Sequence, residues 1–228
     1  FVSSHSAAER VARLGEPKES IYVIGSPELD FHSKPSGVSI EMVRNHYDIP
    51  FSDYGICTFH PVTSEQDTMA EQASNLFGTL DASGKNFVVI LPNNDPGTDD
   101  IMAAIHKLPT DRFRILPSMR FSHFSELMKN AACIVGNSSA GVREAPFLSI
   151  PSLDVGTRQN GRAQSASVTS ARAEERDRIS AFLEQDWGKR YPASDNFGLG
   201  SASERFVEII GQDTFWQAKL QKVFADHA

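Results

Sequence analysis

The amino-acid sequence predicts an α/β fold built on a doubly wound parallel sheet, and three observations support this prediction. Between residues 54 and 155, short apolar runs alternate with segments of helical pattern. The runs are continuous, and continuous runs are typical of strands that are buried on both faces. Each run ends in a polar turn rich in Gly, Pro, Asn or Ser. Strands that alternate with helices in this way favour parallel pairing through right-handed crossovers.

The same patterns predict the individual elements. Residues 1–4 are typical of the end of a strand, Ser6 is the expected cap of the first helix, and little strand pattern follows Val168. The last predicted helix carries an apolar stripe that must pack on something. The predicted strands are residues 21–24, 55–59, 86–91, 113–116, 132–135 and 152–155, and the predicted helices are residues 6–14, 40–46, 68–80, 99–106, 122–130, 173–183, 203–210 and 214–224, with one more after residue 137.

Composition and charge argue against several classes of protein. The 228 residues are 40% hydrophobic, enough for a substantial core, and the net charge of -7 disfavours nucleic acid or an anionic membrane as the main partner. The sequence has no run of about 18 apolar residues, so it predicts no membrane span. Cys57 and Cys133 lie in apolar runs, as buried thiols of a reducing compartment do, and no Cys/His spacing indicates a metal site. We expect a cytoplasmic protein without a metal, and the start at Phe1 favours a segment of a longer chain.

The stretch from Cys133 to Ala145 organises the predicted site. It predicts a buried strand, a small polar turn and the start of a helix, with Asn137, Ser138 and Ser139 as N-cap residues. Small residues let a ligand approach the backbone, and free N–H groups at a helix start favour a phosphate. The turn matches neither a Walker loop nor the Gly-x-Gly-x-x-Gly fingerprint. A well-capped turn without a ligand is the alternative.

Four polar turns follow predicted strands, at residues 60–65, 92–95, 136–139 and 156–159. Right-handed crossovers bring the carboxyl ends of parallel strands to one edge of the sheet, and ligands bind at that edge in open α/β folds. A single polar turn can arise by chance, so the prediction of a site depends on all four turns lying at one edge of the sheet. The sequence therefore predicts a ligand site at this edge.

These turns also carry a resemblance to a known family. The sequence resembles the UDP-N-acetylglucosamine 2-epimerase family, and it is most similar to the hydrolysing branch that supplies the synthesis of sialic-acid-like sugars. The order and spacing of the matching segments agree, and the resemblance covers essentially the whole chain. The segments are His60-Pro61-Val62-Thr63, Pro92-Asn93-Asn94-Asp95-Pro96-Gly97, Gly136-Asn137-Ser138-Ser139-Ala140-Gly141-Val142-Arg143-Glu144 and Gly156-Thr157-Arg158-Gln159-Asn160-Gly161-Arg162.

The resemblance implies a GT-B-like fold of two Rossmann-like domains. Residues 1–30 would end the first domain and residues 31–48 would be a linker. Residues 49–205 would form the UDP-binding second domain, and residues 206–228 would return to the first domain. The resemblance also implies a UDP-sugar substrate, no cofactor and a homodimer. In the family, the acidic residues that handle the proton at sugar C2 come largely from the first domain, so none is assigned here.

The resemblance further assigns roles to residues of the turns. His60 would act at the diphosphate and C1 side of the substrate and assist the departure of UDP, although a histidine at a strand end also commonly braces its own turn. Arg158 would contact the nucleotide or its phosphates, as arginine does through paired hydrogen bonds. Glu144 would accept hydrogen bonds from the ribose hydroxyls, whereas the pattern alone also fits a solvated carboxylate near a helix start.

The remaining expected UDP contacts have structural alternatives. Ser138 and Ser139 would hold the diphosphate at the helix start, and they can cap the helix at the same time. Asn93 matches a substrate contact of the family. Phe124, like Phe121, lies where the family places the uracil, but an aromatic residue at helical spacing is as often part of the core.

We therefore predict the family reaction. Loss of the C2 proton and departure of UDP from a UDP-N-acetylhexosamine give an unsaturated sugar, and water then adds to release the free 2-epimer, such as N-acetylmannosamine. Two alternatives stay open: a GT-B glycosyltransferase that uses the same nucleotide edge, and a segment that binds UDP without turnover. The turns at residues 60–63 and 156–162 favour the epimerase over the transferase.

Overall fold

The computed structural model describes residues 1–162 and 165–218, and it divides the chain into two compact units. The larger unit is Ser36–Ser194, and the smaller unit combines Phe1–Pro35 with the described part of Asp195–Ala228. The breaks therefore fall at other residues than those of the sequence-based domain scheme. The assignment of these segments to a first and a second domain of a GT-B-like protein stays a prediction.

The described residues contain the following helices and strands, together with two short 3₁₀ helices at Lys18–Ser20 and Thr63–Thr68. In chain order they are α1 (His5–Arg13), α2 (Pro27–His32), α3 (Ile40–His46), β1 (Gly55–Thr58), α4 (Met69–Ala82), β2 (Phe87–Ile90), α5 (Thr98–Ile105), β3 (Phe113–Leu116), α6 (Phe121–Lys129), β4 (Ile134–Gly136), α7 (Ser139–Phe147), β5 (Ser152–Val155), β6 (Val168–Ala171), α8 (Arg176–Gln185), α9 (Ala202–Ile210) and α10 (Asp213–Trp216).

The larger unit is built on one parallel sheet with the strand order β3-β2-β1-β4-β5-β6. The chain moves outward from β1 to β3 on one side and from β4 to β6 on the other. This is the standard order of doubly wound sheets, and the order reverses between β1 and β4, where a crevice opens at the carboxyl ends. The predicted doubly wound parallel sheet is confirmed.

Alternate residues of the central strands face two separate cores. Cys57 and Val135 pack with α4, α5 and α8 on one face of the sheet. Ile56 and Ile134 pack with α3, α6 and α7 on the other face. Because both faces are covered, the strands have no polar side and their sequences appear as continuous apolar runs. Cys57 and Cys133 are buried free thiols.

β1 and β4 approach each other closely at their carboxyl ends, and this contact fixes where the turns after the two strands begin. Thr58 pairs with Gly136 in the parallel register. Gly136 has a φ of +129°, and a Cβ atom at this position would lie 2.1 Å from the carbonyl oxygen of Thr58. Only glycine tolerates both the backbone conformation and this contact. The two turns therefore leave the sheet side by side.

The smaller unit differs from the predictions in two places. The expected strand at residues 21–24 is reduced to a single parallel bridge between Val2 and Val23. Ser4, and not Ser6, caps α1, because Ser4 has extended backbone and its Oγ accepts the N–H of Ala7 at 3.2 Å. Of the predicted tail helix, the structure describes α10, and residues 219–224 lie outside the described residues.

The larger unit contains one strand that the sequence pattern missed. β6 pairs along its length with β5, and the described residues place no strand on its other side. An edge strand with half-exposed residues need not be apolar, so Val168–Ala171 lacks the pattern on which the prediction depended. α8 also begins at Arg176 instead of residue 173. No helix among the described residues is both long enough and apolar enough to cross a bilayer.

Candidate functional site at the switch point of the sheet

The turns after β1 and β4 are joined by a reciprocal pair of hydrogen bonds. The backbone N–H of His60 donates to Asn137 Oδ1 at 2.7 Å, and Asn137 Nδ2 donates to the carbonyl oxygen of His60 at 2.7 Å. These partners fix the orientation of the amide, because the oxygen must face the N–H and the nitrogen must face the carbonyl. The pair lies at the switch point, where ligands bind in open α/β sheets.

The backbone of Asn137 extends this connection to the turn after β5. Its N–H donates to the carbonyl oxygen of Thr58 at 3.1 Å. Its carbonyl oxygen accepts from Arg158 Nη1 at 3.2 Å and from Gln159 Nε2 at 2.7 Å. Asn137 has no exposed surface. One buried residue therefore links the carboxyl ends of β1, β4 and β5.

The imidazole of His60 contacts the turn after β2. Its Nδ1 accepts the backbone N–H of Asn93 at 3.3 Å, so the neutral ring carries its proton on Nε2. Burial lowers the pKa of His60, and the positive charge of Arg158 lowers it further, whereas Asn93 and Asp95 partly offset these effects. The neutral imidazole is thus the favoured form near neutral pH.

The start of α7 is suited to an anion. Ser138 is the N-cap, with extended backbone and an Oγ that accepts the N–H of Ala140 at 3.4 Å. Ser138 and Ser139 are half-buried, and the first turn of the helix contains no acidic residue. A helix start without a competing carboxylate favours negative charge through the helix dipole. Of the three residues expected to cap this helix, Ser138 does so, while the side chain of Asn137 is turned to His60.

The other predicted contacts lie on the helices around this edge. Glu144 is buried in the second turn of α7. Phe124 is half-buried and packs against the core on the α3, α6 and α7 side, as its structural alternative requires, and Phe121 is 43% exposed. The structure thus gathers His60, Asn93 and Arg158 around the start of α7. The contacts of all these residues with UDP stay predictions.

Two polar residues of this edge escaped the sequence analysis. Gln159 is buried beside Asn137, and its Oε1 has no partner among the described residues. Asp154 pairs with Gly136 in the register of β4 and β5 and is 6% exposed, and its Oδ1 also has no partner in the described part of the chain. Burial raises the pKa of Asp154 to about 6. A carboxylate inside an otherwise buried strand was the available signal for Asp154.

A polar pocket of about 530 Å³ opens at the same edge, between α4 and the turns after β5 and β6. Glu65 lies in it and accepts hydrogen bonds from Thr157 and, at 2.9 Å, from Gln72. Arg172 also lines this pocket. In residues 1–162 and 165–218, no three His, Cys, Asp or Glu side chains are grouped so that they could hold a metal ion.

A doubly wound sheet with a histidine and a capped helix start at its switch point defines a Rossmann-type α/β protein with an edge that is suited to an anion. The chain belongs to the UDP-N-acetylglucosamine 2-epimerase family, whose family model matches residues 1–211. The family predicted from the four turns is therefore confirmed.

Curated relatives match nearly the whole of this chain. A UDP-N-acetylglucosamine 2-epimerase of Neisseria meningitidis serogroup B is 39% identical over 99% of the chain and 61% of its own length. A UDP-N,N'-diacetylbacillosamine 2-epimerase (hydrolyzing) of Legionella pneumophila is 28% identical over 92% of the chain and 56% of its own length. The chain thus spans about three fifths of these relatives.

Solved structures agree on the fold. The UDP-GlcNAc 2-epimerase of Methanocaldococcus jannaschii, in complex with UDP-GlcNAc and UDP, superposes with a TM-score of 0.74 at 18% identity, over 92% of this chain and 60% of that one. The GT-B-like, Rossmann-type fold class that the sequence predicted is confirmed.

Proposed function

We propose that the protein is a hydrolysing UDP-N-acetylglucosamine 2-epimerase, which eliminates UDP from a UDP-N-acetylhexosamine and releases the free 2-epimer, such as N-acetylmannosamine. The observation that carries the proposal is the junction of His60 with the start of α7 at the switch point. Departure of UDP requires stabilisation of a leaving diphosphate, and this edge supplies helix N–H groups, an arginine and an imidazole.

The reaction has two balanced steps. In the first, a base removes the proton from sugar C2 while the bond between C1 and the diphosphate oxygen breaks, which leaves a C1–C2 double bond and UDP. In the second, water adds across the double bond, with hydroxyl at C1 and the proton on the opposite face of C2. His60 would donate the hydrogen bond of Nε2–H to the leaving diphosphate, and Ser138, Ser139 and Arg158 would hold it.

The nucleotide contacts of the proposal follow the same edge. Glu144 would accept hydrogen bonds from the ribose hydroxyls, Phe124 would lie against the uracil, and Asn93 would contact the substrate beside His60. The substrate is a UDP-sugar and no cofactor is required. The homodimer and the cytoplasmic location that the family resemblance implies stay predictions, which light scattering and cell fractionation would test.

Incubation of the full-length protein with UDP-GlcNAc alone tests the function. We expect UDP and free N-acetylmannosamine in equal amounts without any acceptor, measured by chromatography and by ¹H NMR of the anomeric protons. UDP-N-acetylmannosamine as the stable product would instead indicate simple epimerisation. Absence of turnover until an acceptor sugar is added would contradict the proposal and favour a glycosyltransferase.

A second substrate class is worth the same assay, because the Legionella relative bears the name of a diacetamido-sugar epimerase. UDP-N,N'-diacetylbacillosamine should be compared with UDP-GlcNAc at equal concentration. The ratio of kcat/KM values then decides which UDP-sugar the protein prefers.

A further inference from the structure

All four polar groups of Asn137 have partners within the larger unit. The N–H and the carbonyl oxygen contact Thr58 and the pair Arg158 and Gln159, while both amide atoms contact the backbone of His60. With each of these groups partnered and no exposed surface, Asn137 presents no polar atom to a ligand in this structure. Its role must therefore come from the backbone and side-chain groups that it positions.

The backbone of His60 needs this partner. β1 ends at Thr58, so the N–H and carbonyl of His60 lie beyond the strand and are held by the amide of Asn137. A side chain that satisfies both must present an acceptor and a donor side by side, and among the short polar side chains only asparagine does so. Aspartate would place a second oxygen against the carbonyl of His60, and alanine would leave both backbone groups without a partner.

Asn137 also joins the two groups that would act on the diphosphate. Its side chain fixes the turn that carries the imidazole. Its carbonyl oxygen accepts a hydrogen bond from the guanidinium of Arg158. The residue after it is Ser138, the cap of α7. The distance between imidazole, guanidinium and helix start is therefore set through one buried residue.

We propose that Asn137 is a positioning residue for catalysis, which holds the imidazole of His60 against the diphosphate site through its paired hydrogen bonds to the His60 backbone. This inference rests on the proposed function, because it needs a reaction in which His60 takes part. Small displacements of a reacting group lower the rate far more than they lower the affinity.

Steady-state kinetics of the full-length protein separate positioning from a merely structural role. Asn137→Asp keeps the size of the side chain and one of its two hydrogen bonds. We expect it to lower kcat at least about tenfold; because its added negative charge also opposes the diphosphate, KM is judged in the neutral variant Asn137→Ala, where we expect a change of less than about threefold. Val135→Ala is the matched control, because it removes buried methyl groups from β4, the strand that ends just before Asn137, on the face that packs with α4 and α8. It should lower Tm and leave kcat within about twofold.

Two kinetic results would overturn the inference. One is a kcat of Asn137→Asp within about twofold of the wild type. The other is a loss of kcat in Asn137→Asp no larger than that in Val135→Ala at the same decrease in Tm. In either case the reaction of the wild-type protein would stand, since that is measured separately.

A second readout needs no turnover. ¹⁵N NMR of the histidine side chains should report in the wild type that Nδ1 of His60 is the hydrogen-bonded, unprotonated nitrogen. In Asn137→Ala, a neutral substitution, we expect the preference for this tautomer to weaken and the titration midpoint of His60 to shift. Unchanged His60 signals would refute the positioning role even in an active enzyme. Changed signals in a protein that turns over no UDP-sugar would show that Asn137 orients His60 and would place the failure in the proposed function.

Discussion

In the proposed function, the charge state of His60 would depend on whether a diphosphate lies beside it. In the free protein, burial and the charge of Arg158 lower the pKa of His60, so the ring is neutral over more of the pH range than a free histidine is. A diphosphate adds negative charge and partly neutralises Arg158, so binding must raise the pKa of His60 again. The imidazole would therefore gain a second proton, on Nδ1, when the substrate arrives, and would then lose the hydrogen bond that Nδ1 accepts from the N–H of Asn93.

This coupling predicts that UDP binding takes up protons near pH 6.5, the ordinary pKa of histidine. Calorimetry of UDP binding in two buffers with different ionisation enthalpies measures the uptake, and we expect it to decrease as the pH rises above the ordinary pKa of histidine. His60→Gln should reduce it, and the part that remains would come from the terminal phosphate of UDP, which titrates in the same range. An equal uptake in His60→Gln would show that another group titrates.

Arg158 is held beside the start of α7 by the carbonyl oxygen of Asn137 and is half-buried. We expect Arg158→Ala to weaken UDP binding by about 1–3 kcal/mol, the scale for loss of a charge-assisted contact. Arg178→Ala is the control, because Arg178 lies exposed on α8 and its substitution removes the same charge. Calorimetry at fixed ionic strength measures both. Equal losses in the two variants would indicate a general charge effect and contradict the assignment.

At the scale of elements, the junction of β1 and β4 depends on a glycine. Gly136→Ala would bring a Cβ atom to 2.1 Å from the Thr58 carbonyl oxygen and would also require a φ of +129°. Gly84→Ala is a matched control, since Gly84 has a φ of +68° but no atom within 4 Å of the added Cβ. We expect a loss of about 1 kcal/mol in unfolding free energy for Gly84→Ala and of more than about 3 kcal/mol for Gly136→Ala.

Urea unfolding monitored by tryptophan fluorescence measures this difference. Trp187 lies in the larger unit, where its Nε1 donates to Asp53 at 3.0 Å, whereas Trp216 lies in the smaller unit and is 71% exposed. A Trp216→Phe background therefore restricts the signal to the unit that contains the junction. Equal effects of the two glycine substitutions would mean that β1 and β4 can separate without cost.

The elements show where sequence patterns predict structure and where they do not. The inner strands β1, β2, β4 and β5 could be predicted, because burial on both faces forces continuous apolar runs. β6 could not, because this edge strand is partly exposed and its residues Val168–Ala171 form no apolar run, whereas the other edge strand, β3, is mostly apolar and was predicted. The cap of α1 was misassigned because Ser4 and Ser6 are both suitable residues, and only the extended backbone of Ser4 decides between them.

The site shows the same limit. The positions of His60, Asn93, Ser138 and Arg158 at one edge followed from strand order and the right-handed crossover rule. The role of Asn137 did not, because an asparagine after a strand is most simply a helix cap. Only the pairing of Thr58 with Gly136 in the sheet brings the side-chain amide of Asn137 to the backbone of His60. Contacts between segments distant in the chain carry no local sequence pattern.

At the scale of the whole molecule, two titratable groups of the larger unit, the half-buried His60 and the buried Asp154, change stability with pH in opposite directions. The pKa of His60 is lowered in the folded state, so its unfolded form binds protons more tightly and stability falls as the pH decreases below about 6.5. The pKa of Asp154 is raised to about 6 by burial. The folded state then binds the proton more tightly, and stability is lost as the pH rises through the range from the ordinary carboxyl pKa to about 6.

The ionised Asp154 therefore destabilises the folded protein at neutral pH, and Asp154→Asn should be more stable than the wild type. A shift of this size corresponds to at most about 3 kcal/mol, and partial solvent screening reduces the expected gain to about 1–2 kcal/mol. Urea unfolding in the Trp216→Phe background between about pH 5 and pH 8 measures this gain in stability, which should grow up to about pH 7 and then level off.

Asp111→Asn, at an exposed turn, is the control and should change stability by less than about 0.5 kcal/mol at every pH. A gain in Asp154→Asn that does not vary with pH would mean that the charge of Asp154 is already compensated in the folded protein, and that this carboxylate is retained at the edge of the site without cost to stability.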